Sequence, residues 1–103
     1  MSVLLEISMW PMGKDESVGE YVAGSVDVID QSGLPYQVNA MGTVLEGELD
    51  ELLAVVKKCF DRMARDCDRI ECMLKFDYRR GAKDRLTGKV DSVEQKLGRP
   101  LNK

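Results

Sequence analysis

Tyr36-Gln37-Val38-Asn39-Ala40-Met41-Gly42-Thr43-Val44-Leu45-Glu46-Gly47 lies near the middle of a chain of 103 residues. Leu34-Pro35 opens a strand from Tyr36 to Met41, and Gly42 separates it from a second strand, Thr43 to Glu46. So short a break leaves no room for a crossover, and the two strands read as a hairpin. A helical pattern and then a strand pattern flank this hairpin on each side. Upstream, Asp15, Glu16 and Ser17 offer N-cap and first-turn groups for a helix that runs to about Ser32, where Gly33 stops it. Val18, Val22, Val26 and Ile29, joined by Tyr21, form its apolar stripe. Three valines and an isoleucine weaken its intrinsic propensity, so tertiary burial must carry it. Before it, residues 3 to 10 alternate, with Val3, Leu5, Ile7 and Met9 on one side and Leu4, Glu6, Ser8 and Trp10 on the other.

Downstream of Gly47, Glu48, Asp50 and Glu51 open a second helix whose later turns carry Lys57, Lys58, Arg62 and Arg65, so both ends complement the helix dipole. Its expected core stripe is Leu49, Leu52, Leu53, Val56, Phe60 and Met63. Ile70 to Tyr78 alternates again, with Ile70, Cys72, Leu74 and Phe76 facing one way and Glu71, Met73, Lys75 and Asp77 the other. A polar loop from Arg79 to Arg85 leads to a short helix from about Lys89 to Leu97. The order predicts an α+β fold: a ferredoxin-like βαββαβ sandwich, a four-stranded antiparallel sheet with helices on one face, plus a short C-terminal helix. Residues 1–98 are expected to form one domain, and 99–103, with Pro100, a frayed tail.

Composition narrows the chemistry. With 44% hydrophobic residues the chain can build one core without metal or disulfide staples. The net charge of −3 hides a split: residues 1–56 carry one base, Lys14, against ten acids, and residues 57–103 carry fourteen bases against eight acids. Histidine is absent, which removes the usual general base near neutral pH and the commonest nitrogen ligand for metals. Cys59, Cys67 and Cys72 are odd in number and fit neither a disulfide framework nor a CxxC motif, so they read as reduced, buried thiols in a cytoplasmic protein. The N-terminus reaches Glu6 with no basic region before it, so neither a signal peptide nor a membrane span is expected. No catalytic residue and no metal ligand is assigned.

In such a sandwich the sheet face away from the helices stays in water unless something covers it. Leu4, Trp10 and Met73 fall on that face among Glu6, Ser8, Glu71 and Lys75, which predicts self-association: a homodimer or homotetramer through the open sheet face and the strand edges. The hairpin is dense in hydrogen-bonding groups. Gln37 and Asn39 are two apart and share a face, and asparagine is poorly suited to a strand interior unless its amide has a task. Thr43 and Glu46 stand on the next strand, with Ser8 beside them if its strand is central. One reading is a solvated sheet face; the other is a pocket of amides, hydroxyls and a carboxylate with aromatic walls from Tyr36 or Trp10. Carboxylates and aromatic faces suit an organic cation.

Ser8-Met9-Trp10-Pro11, Ser17-Val18 with Tyr21-Val22-Ala23, Ile29 through Gln37 and Met41-Gly42-Thr43-Val44-Leu45-Glu46-Gly47 resemble the small thiamine-binding, YkoF-like family. The resemblance continues through Val55-Val56-Lys57-Lys58, Asp77-Tyr78-Arg79-Arg80, Gly88-Lys89-Val90, Ser92-Val93-Glu94 and Lys96-Leu97-Gly98, nearly the whole chain. It implies a ferredoxin-like fold, sheet-mediated dimers able to pair into tetramers, and binding of thiamine or a related thiazole or pyrimidine without catalysis. Thiamine would be a ligand, and no cofactor is expected. The implied ligand-binding residues are Ser8, Tyr36, Asn39, Thr43 and Glu46, with Gln37 as a lesser candidate. Ala40 departs from the family's pattern, where a proline is expected before Met-Gly-Thr; its loss frees φ and restores an N–H.

Three other functions compete. A nucleic-acid-binding module lacks both the charge and the stacking aromatics, given an isoelectric point near 5.0 and no run of aromatics on the central strands. Arg79, Arg80, Lys83 and Arg85 offer phosphate contacts or pair with a neighbour's acids. An enzyme would have to use Glu46 and Glu6 as acid and base or Cys72 as nucleophile, with no histidine to activate the thiol. A regulatory or scaffolding oligomer that binds another small molecule is the remaining alternative.

Overall fold

The computed structural model describes residues 2–13 and 18–102, so the expected helix-capping group Asp15, Glu16 and Ser17 lies outside the described residues. Alternation decides the core. Val3, Leu5, Ile7 and Met9 are all buried, and Leu5 and Leu45 have no exposed surface at all. They lie on β1 (Val3–Pro11) and β3 (Gly42–Gly47), the two central strands. β2 (Tyr36–Asn39) and β4 (Ile70–Tyr78) form the edges in the order β2-β3-β1-β4, and every pairing is antiparallel. α1 (Val18–Gln31) follows β1, and α2 (Leu49–Ala64) follows β3. Both cover the face that carries Leu5 and Leu45, where Ile29, Leu52, Val55, Cys59 and Met63 complete the core. This is the ferredoxin-like sandwich that the element order predicts.

The first hairpin is tighter than expected. β2 ends at Asn39, Ala40 and Met41 form the turn, and Gly42 opens β3. Gly42 packs so closely on β1 that a Cβ there would stand 2.9 Å from the Ile7 carbonyl oxygen, which only glycine avoids.

Three expectations change. The buried stripe of α2 is Leu52, Val55, Cys59 and Met63, whereas Leu49, Leu53 and Phe60 are 45–47% exposed. The apolar surface of α2 is wider than one stripe, and the helix seats on the side nearer α1, where Arg62 reaches Asp27 at 3.0 Å and the Cys59 thiol points at the Ser25 carbonyl. Consequently α2 does not cover β4, and Cys72, expected to be buried with Cys59 and Cys67, is exposed. The third correction concerns α3 (Arg85–Leu97), which starts four residues before the expected Lys89. It also lies on the second sheet face: its first turn meets Glu46, and its side chains share a cleft with Gln37 and Asn39. A 2.6 Å hydrogen bond from the Leu101 N–H to the Glu94 carboxylate ties residues 99–102 back to this helix.

Candidate functional site

β3 pairs with β1 only as far as Ile7 opposite Thr43, while β4 continues along β1 to Pro11. From Ser8 onward, the edge of β1 on the hairpin side has no strand beside it among the described residues. A cavity of about 270 Å³ occupies this notch. Its sheet wall is Ile7 to Trp10 with Thr43, its hairpin wall is Val38 to Gly42, and α1 closes it with Val22, Ser25, Val26 and Ile29. The lining is largely apolar but includes the hydroxyls of Ser25 and Thr43, both on residues that are 9% exposed or less. Asn39, Trp10, Met9 and Met41 also border it; strand alternation turns Met9 toward α1 with Thr43, and Ser8, Trp10 and Asn39 toward the second sheet face at the open edge of the notch. No ionisable side chain lines the cavity among the described residues. Such a lining can stack a flat heterocycle and satisfy a few of its polar atoms.

Of the six residues expected to bind a ligand, the structure brings Ser8, Asn39 and Thr43 to this cavity. The other three lie elsewhere. Tyr36 pairs with Leu45 on the helix side of the sheet, and its hydroxyl donates to the Asp30 carboxylate at 2.7 Å. That hydrogen bond, with burial and the carboxylate's charge behind it, raises the phenol above its usual pKa. Gln37 lines the cleft under α3.

Glu46 is three residues beyond Thr43 and therefore faces the other side of the sheet. Its carboxylate accepts the Arg85 N–H at 2.9 Å, the Leu86 N–H at 3.1 Å and the Ser2 hydroxyl at 2.7 Å. Burial alone would push this carboxyl up, but the three hydrogen bonds and the Arg85 charge outweigh it and hold the pKa below the ordinary value. Glu46 thus supplies from a distant strand the acceptor that the first turn of α3 requires. The same donors occupy it, so it does not line the cavity.

Comparison with known proteins rests on nearly the whole chain. The sequence pattern of the family described as thiamine-binding protein matches residues 5–94. The chain belongs to the thiamine-binding protein family. A relative in Mycobacterium bovis, UPF0045 protein Mb1933, is 43% identical over 101 residues, covering 97% of this chain and 99% of its own. The crystal structure of MJ1052 from Methanocaldococcus jannaschii superposes with a TM-score of 0.83 at 36% identity, covering 91% of this chain and 97% of that one. A Thermotoga maritima protein provisionally assigned to thiamine biosynthesis or salvage, TM0486, superposes with a TM-score of 0.82 at 25% identity, over 90% of this chain and 99% of that one.

For this member of the thiamine-binding protein family, sequence reasoning missed the contribution of α1 to the site. Ser25 and Val26 sit in a helix whose apolar stripe reads as core, and Ser25 is a polar position on its buried side. A serine among buried helix positions is a signal for a polar cavity, because a hydroxyl there needs a partner. Trp10, expected both on the open sheet face and as an aromatic wall of the pocket, is half-buried and borders the notch. Leu4 is likewise half-buried, so Met73, 68% exposed, is the one member of that expected patch left in the open.

Proposed function

We propose that the chain binds thiamine, or a thiazole or pyrimidine related to it, in the notch between α1 and the β2–β3 hairpin, and releases it unchanged. Membership of the thiamine-binding protein family carries this reading, and the lining supports it. A volume of about 270 Å³ is close to the lower end of the roughly 300–1,000 Å³ of small-molecule sites. The aminopyrimidine needs donors and acceptors side by side, which the Asn39 amide and the Thr43 and Ser25 hydroxyls can offer. The thiazolium cation would find an aromatic face in Trp10 in place of the carboxylate expected at Glu46. With no ionisable group in the described lining, binding is favoured over acid–base or nucleophilic chemistry. We place the protein in the cytoplasm, and we propose that it works as a homodimer or homotetramer associating through its strand edges and the uncovered part of the sheet.

Calorimetric titration with thiamine, its phosphates and its pyrimidine precursor tests the ligand. Micromolar binding lost in Trp10→Ala supports the assignment, and no heat with any of the three overturns it.

A further inference from the structure

The bases in the second half of the chain are not spread evenly over the surface. Arg85, Lys89, Ser92 and Lys96 recur at spacings of four, three and four along α3 and so share one face of that helix. That face meets the end of β4 and the loop after it, where Arg79 and Lys83 join it around a cleft of about 610 Å³. Five cations gather there against two carboxylates, Asp77 and Asp84. Asp77 is taken up by Arg85, whose guanidinium reaches its carboxylate at 2.5 Å and its carbonyl at 3.0 Å. Among the described residues, Arg79, Lys83, Lys89 and Lys96 form no ion pair. Like charges collected on one concave surface repel one another and raise its potential, a cost that a bound anion relieves.

The frame under these cations is fixed. Glu46 holds the first turn of α3 through the Arg85 and Leu86 N–H groups, and the Ser2 hydroxyl lies between the Glu46 carboxylate at 2.7 Å and the Ala82 carbonyl at 3.1 Å. Asp84 takes left-handed backbone, φ 55°, and Lys83 and Arg85 on either side of it both line the cleft. Cations held in place lose little freedom when a ligand arrives. We propose that this cleft is a second binding site, for a small molecule that carries a diphosphate or a phosphomonoester. The Arg79 fork and the lysines suit phosphate oxygens, and the Ser92 hydroxyl adds a neutral donor. A small ligand is favoured over a nucleic acid, because no aromatic side chain lines the cleft among the described residues and the chain as a whole is acidic, with an isoelectric point near 5.0. The cleft shares no lining residue with the notch. Leu4 lies in the one and Trp10 borders the other, about 20 Å apart along β1. The site therefore goes beyond the thiamine reading and does not depend on it.

Calorimetric titration of the full chain with pyrophosphate at low ionic strength tests the cleft. Pyrophosphate should bind at least about tenfold more tightly than inorganic phosphate, because it engages more of the cations at once. Arg79→Ala and Lys89→Ala, both at exposed positions, should each weaken it about tenfold without moving the midpoint of urea unfolding. Lys58→Ala, at an exposed position on α2 outside the cleft, should leave it unchanged, and so should saturation with thiamine. No heat with pyrophosphate overturns the site, and so does an equal loss in Lys58→Ala, which marks general attraction to surface bases. Displacement of pyrophosphate by thiamine overturns the separation of the two sites. A single-stranded oligonucleotide that binds more tightly than pyrophosphate, and tighter still as it is lengthened, overturns the small-molecule assignment. Pyrophosphate binding in a protein that ignores thiamine supports the cleft and overturns only the reading of the notch.

Discussion

Thr43 and Glu46 are three residues apart on β3 and equally buried, at 6% exposure, yet they serve different layers of the molecule. Thr43 faces α1 and presents a hydroxyl to the notch. Glu46 faces α3 and presents a carboxylate to two backbone N–H groups and the Ser2 hydroxyl. A spacing of three on a strand separates two side chains, whereas on a helix it would bring them together. Polar residues crowded into one hairpin therefore do not make one site. The hairpin carries one wall of the cavity at its tip and an anchor for the C-terminal helix at its base.

The largest test of that division is at Glu46. Glu46→Ala removes the acceptor from the Arg85 and Leu86 N–H groups and should destabilise the protein by about 2–3 kcal/mol, as expected for hydrogen bonds to a charged group. Urea denaturation measures the loss, and hydrogen exchange should show it concentrated in Arg85–Leu97. Thiamine affinity should change little. If affinity collapses while α3 stays protected from exchange, the two ends of β3 share one site after all. Gly42→Ala comes next. Its methyl group would press on the Ile7 carbonyl, and overpacking of this kind costs about 1–3 kcal/mol. Because the hairpin tip must move away from β1, binding in the notch should fall with it; unchanged affinity in calorimetry would remove the hairpin from the site.

Thr43→Val is the more selective probe. It keeps the shape of the side chain and deletes the hydroxyl, so thiamine should bind about five- to tenfold more weakly for one hydrogen bond of roughly 1 kcal/mol. The midpoint of urea unfolding should barely move. A variant that unfolds more easily but binds normally would make Thr43 a structural residue like Glu46.

The fold was legible because alternation and helical periodicity are local signals. Val3, Leu5, Ile7 and Met9 announce a strand with one buried face, and Gly33, Gly42 and Gly47 mark the breaks between elements. Which strip of a broad apolar helix surface becomes buried is a tertiary matter: Leu53 and Cys59 both lie on the apolar side of α2, and Cys59 is the one packed against α1, where its thiol meets the Ser25 carbonyl, while Leu53 stays 45% exposed. The site was half legible for a related reason. Ser8, Asn39 and Thr43 reach the notch because the pairing of β1 with β3 stops at Ile7 opposite Thr43, a register that depends on the hairpin turning at Ala40-Met41. Glu46 was misplaced because its partners, the Arg85 and Leu86 N–H groups, lie about forty residues away and carry no side-chain signature.

Acid provides the smallest and most graded probe of the same comparison, because it titrates Glu46 and leaves Thr43 alone. The folded-state pKa of Glu46 lies below its ordinary value of 4.5. A carboxyl depressed by folding stabilises the folded state fully above its unfolded pKa, and that contribution is lost as pH falls through the folded one. Stability should therefore hold level with respect to this group above pH 4.5 and decline below it, with α3 losing exchange protection before the central strands. Glu46→Gln removes the titration while keeping one acceptor oxygen, so the variant should be less stable near neutrality and should lack this part of the acid-dependent decline. If wild type and Glu46→Gln lose stability in parallel on acidification, other carboxylates account for the acid response and the anchoring of α3 does not depend on the Glu46 charge.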